Sequence, residues 1–318
     1  MSQQLDPRTP SDPQASQAPV IEVHDLVKRY GDRTVVDGVS FEVRPGEIFG
    51  IAGPNGAGKT TTVECLQGLR SRDGGAVRVL SLDPAHEAGA LRRRIGSQLQ
   101  ESALPDRLRV WEALDLFASF VPGESNWELL IDQWGLRGKE RTSFADLSGG
   151  QQQRLFIALA LINQPDVVFL DELTQGLDPA ARRVAWGLIR AARDQGTTVI
   201  VVTHFMEEAE ALCDRLAIID GGRVIALDTP QGLIAQHGGA ITVTFSSAEP
   251  ELAWIERLPV VERVVRHGSR VEVAGGSTVV PLVAAELVQR GIVPDDFRVI
   301  QPTLEDTFLA FTQREVAE

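Results

Sequence analysis

From Ile21 onward the chain is built of short runs of β-branched and apolar residues. IEVHDL (21–26), VSFEVR (39–44) and IFGIAG (48–53) come first, with Gly46 as turn material between the last two. Each reads as a strand. After the third run, Val63, Leu66 and Leu69 recur at helical spacing, so the local order is strand, glycine loop, helix. Two later runs, DVVFLDE (166–172) and TTVIVVTH (197–204), lack polar alternation, as strands covered on both faces do. Residues 182–193 between them read as a crossover helix, which predicts an α/β unit with a largely parallel sheet.

A different pattern fills residues 101 to about 160. RVWEALDLFASF and NWELLIDQWGL carry aromatic and leucine stripes at helical spacing with no strand signal between them, so a helical insertion interrupts the sheet segments. Gly221 and Gly222 turn one late strand into the next, and a glycine link at 238–239 leads to a second unit. Its runs, ITVTF, PELAWIERL, VERVVRH, RVEVAG, TVVPLVAAELVQRG and FRVI, give a β-α-β-β-α-β order, that of a small ferredoxin-like α+β domain. The expected organisation is a tail over 1–19, a main α/β unit over 20–236 with its helical part at 101–160, and a C-terminal domain over 240–318.

Composition narrows the function classes. The formal net charge is −13, from 44 acidic and 31 basic side chains, so no basic footprint for nucleic acid covers the molecule. Cys65 and Cys213 lack metal spacing and suit reduced thiols. No window approaches the ~20 apolar residues that cross a bilayer, and the first nineteen residues have neither the basic nor the apolar part of a signal peptide. Only Lys28, Lys59 and Lys139 are lysines, and one of them lies in the glycine loop.

That loop is Gly53-Pro54-Asn55-Gly56-Ala57-Gly58-Lys59-Thr60-Thr61, a phosphate-loop pattern between a predicted strand and a predicted helix. Its backbone N–H groups can close round phosphates, Lys59 can span the β- and γ-phosphates, and Thr60 can ligate Mg²⁺. Alone, a glycine-rich turn could match by accident. The strand VVFL, however, delivers Asp171 and Glu172 at its C-terminal end, where doubly wound sheets bind ligands. Asp171 would hold Mg²⁺ through water and Glu172 would polarise a water attacking the γ-phosphate. Two carboxylates after a strand are otherwise a solvated turn; beside a phosphate loop the balance reverses. His204 ends a third strand, as a reacting group or as a plain surface histidine. The chemistry assembled is phosphoryl transfer to water.

The stretch LSGGQQQRL at 147–155, with the phosphate loop and the Asp171–Glu172 strand in the same order, resembles the signature of ATP-binding-cassette (ABC) ATPases, the nucleotide-binding subunits of ABC transporters. The resemblance covers residues 21 to about 230 and implies a P-loop NTPase cassette using ATP and Mg²⁺. It also implies roles: Tyr30 stacks on adenine, Gln100 contacts the metal and attacking water, and His204 acts as the switch histidine. Ser148, Gly149 and Gly150 are like the residues that close over the γ-phosphate of an opposite subunit, and Gly176, Leu177 and Asp178 resemble the D-loop. Leu173 departs from the family's usual proline, freeing that link without deleting a reacting group. The ending QPTLEDTFLAF (301–311) is similar to that of ATPases serving type-2 exporters of drugs, antibiotics, lipids or polysaccharides, with Thr303 in place of serine and able to cap a helix from Leu304.

The resemblance implies a homodimer with two shared ATP sites and a separate transmembrane permease, which would hold the chain at the cytoplasmic face of the cell membrane. An ATPase serving an importer or another membrane complex stays open, as does a soluble ABC ATPase acting on ribosomes or DNA, which the single cassette and acidic charge disfavour. The insertion stripe at Trp111, Leu114 and Phe117 is the expected permease-facing surface, shared with internal core.

Overall fold

The computed structural model describes residues 18–98, 103–120, 127–249 and 252–315, so residues 1–17 of the expected tail and the candidate Gln100 lie outside the described residues. The chain divides between Thr229 and Pro230 into two units.

In the first unit, β1 (Ile21–Tyr30) and β2 (Arg33–Val43) form an antiparallel hairpin. Both strands run longer than their apolar cores predict, because a tight turn at Gly31, with φ 57°, lets pairing continue to Tyr30 opposite Arg33. Next come β3 (Ile48–Ala52), α1 (Lys59–Leu66) and β4 (Gly74–Val79); β4 joins the hairpin in a sheet of order β2-β1-β4. α2 (Ala88–Leu91) and β5 (Ile95–Gln98) precede the insertion, which holds α3 (Val110–Ala118), α4 (Trp127–Gln133) and α5 (Gly149–Ala160). Among its described residues it contains helices and no strand, as its periodicity predicts.

β6 (Val167–Asp171), α6 (Pro179–Asp194), β7 (Thr198–Thr203), α7 (Met206–Leu212), β8 (Arg215–Asp220) and β9 (Arg223–Asp228) complete the unit. Its main sheet has the order β5-β6-β7-β3-β8-β9 and is parallel except at β8–β9. Every residue of β3, β6 and β7 is buried, which explains why these runs show no alternation. Phe49, Ile51, Phe169, Ile200, Val202 and Ile219 share one core with the inner face of the antiparallel sheet. The crossover helix is clearly amphipathic: Ala185, Trp186, Ile189 and Ala192 are its buried stripe.

The second unit begins at α8 (Pro230–His237), whose contacts are with the last helix. The sequence division had placed 230–236 with the ATPase unit; the contacts of the folded chain group them with the second. There follow β10 (Ile241–Ser246), β11 (Val261–His267), β12 (Arg270–Gly275), α9 (Val279–Gln289), β13 (Arg298–Ile300) and α10 (Leu304–Glu315). The strands pair antiparallel in the order β11-β12-β10-β13, the arrangement of a split βαβ fold. The helix expected over PELAWIERL is reduced to a single 3₁₀ turn, Ile255–Arg257, among the described residues. Pro259 explains its end: the residue before a proline avoids the helical region, and Leu258 sits at ψ 130°.

Candidate nucleotide site

The parallel register sets three strand ends side by side. Ala52 of β3 pairs with Thr203 of β7, and Asp171 of β6 pairs with Val202 of β7. The residues that follow, Gly53, His204 and Glu172, therefore line up at the C-terminal edge of the sheet, about 5 Å from strand to strand. This is where ligands sit in open α/β sheets.

The glycine loop can turn so sharply only because two positions carry no Cβ. Gly58 has φ 98°, and a Cβ there would lie 2.5 Å from the carbonyl oxygen of Val35. Gly53 has φ 150° and would meet Ile219 O at 2.0 Å. The loop is thus pressed between the hairpin and β8. Lys59 opens α1, is 5% exposed, and donates from Nζ to Gly53 O (2.9 Å) and Pro54 O (2.8 Å). Its burial draws the ammonium below the usual lysine range, and the carboxylates of Glu172 and Asp171 pull it back up. The cavity beside it, about 360 Å³, is lined by Asn55, Gly56, Gly58, Thr60, Thr61 and Glu172 as well as Lys59. The helix start supplies N–H groups with no intrahelical partner, an environment made for anions.

Asp171 is 4% exposed, and desolvation pushes its carboxyl up to about 6 against the opposing hydrogen bond from Thr60 and the charge of Lys59. Its Oδ1 is buried with no hydrogen-bond partner among the described residues. A buried carboxylate oxygen left bare is costly unless something positive completes it. The pair Thr60 and Asp171 therefore fits a divalent cation arriving with nucleotide phosphates, which is how Mg²⁺ is commonly held. Glu172 leaves the strand at φ 48°, its N–H donating to Val202 O at 2.9 Å. Its Oε1 lies 3.0 Å from Nδ1 of His204, so the structure brings these two candidates together. Leu173, in the family's proline position, is fully buried.

Tyr30 is 42% exposed and does not line this cavity; its ring faces Arg70 (5.3 Å) and Lys28 (5.6 Å). Arg33, its partner across the hairpin, and Val35 line the cavity instead. Sequence reasoning did not single them out. The pairing register of β2 shifts between Thr34 and Val36, so simple alternation along the sequence gave no signal for them.

A second cavity, about 260 Å³, is lined by Ser148, Gly149, Gly150, Arg154, Gly176, Leu177 and Asp178, with Ala181 and Val184. Ser148 is the N-cap of α5, and its N–H donates to Gln151 Oε1 at 3.0 Å. Asp178 caps α6: Oδ1 accepts from the N–H groups of Ala180 (2.8 Å) and Ala181 (2.9 Å), so one carboxylate oxygen is occupied in shaping the helix start. The two cavities share no lining residue. One chain thus presents two separate anion-friendly helix starts.

Comparison with known proteins agrees with this geometry. Residues 36–175 match the ABC transporter family. The chain is 38% identical over 307 residues to a Nod factor export ATP-binding protein I of Paraburkholderia xenovorans, covering 94% of this chain and 98% of that one. It is 36% identical to the daunorubicin resistance ATP-binding protein DrrA3 of Streptomyces coeruleorubidus, over 92% of this chain and 95% of the relative. Among solved structures, an ATP-binding subunit of an ABC transporter superposes with a TM-score of 0.62 at 29% identity, covering 69% of this chain and 93% of the other. The cbiO1 protein of Clostridium perfringens, part of the transporter complex cbiONQ, gives 0.63 at 25% identity, over 69% and 92%. This chain therefore belongs to the ATP-binding subunits of ABC transporters and is an ABC-family ATPase.

Proposed function

We propose that the chain powers export of a small molecule, drug, lipid or polysaccharide through a separate membrane-spanning permease. The observation that carries this reading is the near-complete overlap with ATP-binding proteins named for Nod factor export and daunorubicin resistance, C-terminal unit included. The ending QPTLEDTFLAF supports it, with Thr303 and Asp306 forming a reciprocal cap at the start of α10. No helix among the described residues is long and apolar enough to cross a membrane.

In this reading Lys59 and the N–H groups of the glycine loop bind the β- and γ-phosphates of ATP. Thr60 and Asp171, with Gln100, would hold Mg²⁺, which when bound neutralises developing phosphate charge. Glu172 orients the attacking water and takes its proton as the water oxygen bonds to the γ-phosphorus and the bond to the ADP oxygen breaks. His204 is joined to Glu172 through Nδ1, a hydrogen bond that would orient the carboxylate and leave Nε2 as the ring atom to meet a γ-phosphate oxygen. Tyr30 reaches adenine from the rim of the hairpin. Ser148, Gly149 and Gly150 of a second copy close over the γ-phosphate, with Asp178 alongside, so closure needs ATP and hydrolysis reopens the pair.

The test is reconstitution with the cognate permease in vesicles. ATP-driven movement of cargo away from the ATPase side, lost with Glu172→Gln, is the expected result; movement toward the ATPase side would assign an importer instead.

A further inference from the structure

Glu208 has no place in the chemistry above, yet it is completely buried on α7. Its Oε1 accepts two hydrogen bonds, from Thr174 Oγ1 at 2.8 Å and from Trp186 Nε1 at 3.1 Å. Its Oε2 has no hydrogen-bond partner among the described residues. Taking a carboxylate out of water costs several kcal/mol unless it is well bonded, so a position that served packing alone would be better filled by an apolar side chain.

The three elements meeting at Oε1 are those that carry the proposed machinery. Thr174, itself fully buried, lies two residues beyond Glu172. Trp186 is on α6, the helix capped by Asp178. Glu208 is on α7, which begins at Met206, two residues beyond His204. Glu172 and His204 face each other at 3.0 Å, and the Thr174–Glu208 bond is a second, buried tie between the same two segments. Such a tie is needed where the backbone would otherwise relax. Glu172 holds φ 48°, a left-handed conformation that costs a non-glycine residue about 1–2 kcal/mol and persists only when its surroundings fix it.

We infer that Glu208 is a positioning residue: through Thr174 and Trp186 it fixes the segment that carries Glu172 against the segment that carries His204, and links both to the helix behind the D-loop. The inference rests on the roles given above to Glu172 and His204. Displacing a reacting group by an ångström can cost about a hundredfold in rate without weakening substrate binding.

The test is steady-state MgATP hydrolysis by the full chain, with thermal unfolding of each variant alongside. Thr174→Val, close in shape, removes the hydroxyl donor; Glu208→Gln keeps an oxygen that can accept both bonds; Glu208→Ala removes them. The expected result is a kcat lowered roughly ten- to a hundredfold in Thr174→Val and Glu208→Ala with KM for MgATP within about threefold, and recovery to near the parent in Glu208→Gln. The double variant should lose little more than either single one. If Glu208→Ala does not fold, Thr174→Val and Trp186→Phe decide alone. A folded Thr174→Val with the parent's kcat would overturn the inference, as would losses that appear in KM rather than kcat. Glu172→Gln, run in parallel, separates the two readings: if it turns over like the parent, the assignment of Glu172 fails first.

Discussion

Asp171 and Glu172 are sequence neighbours with opposite surroundings. The first is the last residue of a buried strand and faces Thr60 and Lys59; the second has stepped out into a left-handed turn beside His204. With its carboxyl raised to about 6 from an ordinary 3.8, Asp171 binds its proton more tightly in the folded than in the unfolded chain. Stability from this group is therefore full below about pH 4 and lost as pH rises through 6, by an amount on the order of 3 kcal/mol. In metal- and nucleotide-free buffer, Asp171→Asn should be more stable than the parent at pH 8, and the difference should shrink between pH 6 and 4; equal denaturation midpoints across that range would refute it. Glu172→Gln keeps the size of the side chain and loses the basic oxygen. Its kcat should fall by roughly a hundredfold or more while ATP still binds, as a calorimetric titration can report. Lys59→Ala should instead weaken ATP binding itself, which the same titration reads. These residues were legible in sequence because their types sit at fixed distances from strand ends. Arg33, Val35 and Glu208 were not, because what places them is tertiary contact: a hairpin face in one case, a carboxylate buried among three elements in the other.

Elements were legible where their period was strong and unbroken. The apolar runs of β3, β6 and β7 and the stripe of α6 announced a covered parallel sheet with a crossover helix. The insertion was legible as helices but not in its outward face, since a stripe does not say which side has a neighbour. Of the residues expected to face a permease, Leu114 is fully buried and Trp111 and Phe117 are half-buried; among the described residues of the insertion, Leu116 (46%), Phe120 (74%) and Leu129 (64%) are the exposed large apolar side chains. Phe120→Glu should therefore fold and keep basal ATPase activity, while co-purification with the permease falls. Unchanged capture from membranes would exclude this part of the insertion as the coupling surface. In the second unit, the Thr303–Asp306 cap rests on side-chain oxygens 2.7 Å apart, so Thr303→Val should cost about 1 kcal/mol and speed amide exchange in the first turn of α10.

For the whole molecule, the most consequential feature is the separation of its two phosphate-friendly helix starts into cavities with no residue in common. The glycine loop and Glu172 line one cavity, with Asp171 and His204 at the adjoining strand ends; the signature residues and the D-loop line the other, and in the proposed function each is half of an ATP site. The resemblance to ABC ATPases implied this division, and in the folded chain the two cavities share no lining residue. A second copy can supply the missing half to each, giving two ATP sites across a symmetric pair. Formation of that pair should then depend on the γ-phosphate and persist when hydrolysis is blocked. Sedimentation velocity of Glu172→Gln tests this most directly: monomer without nucleotide or with MgADP, dimer with MgATP, and monomer again when Ser148→Arg is added to block the signature half-site. A single sedimenting species at the monomer's rate, with MgATP demonstrably bound, would contradict the account.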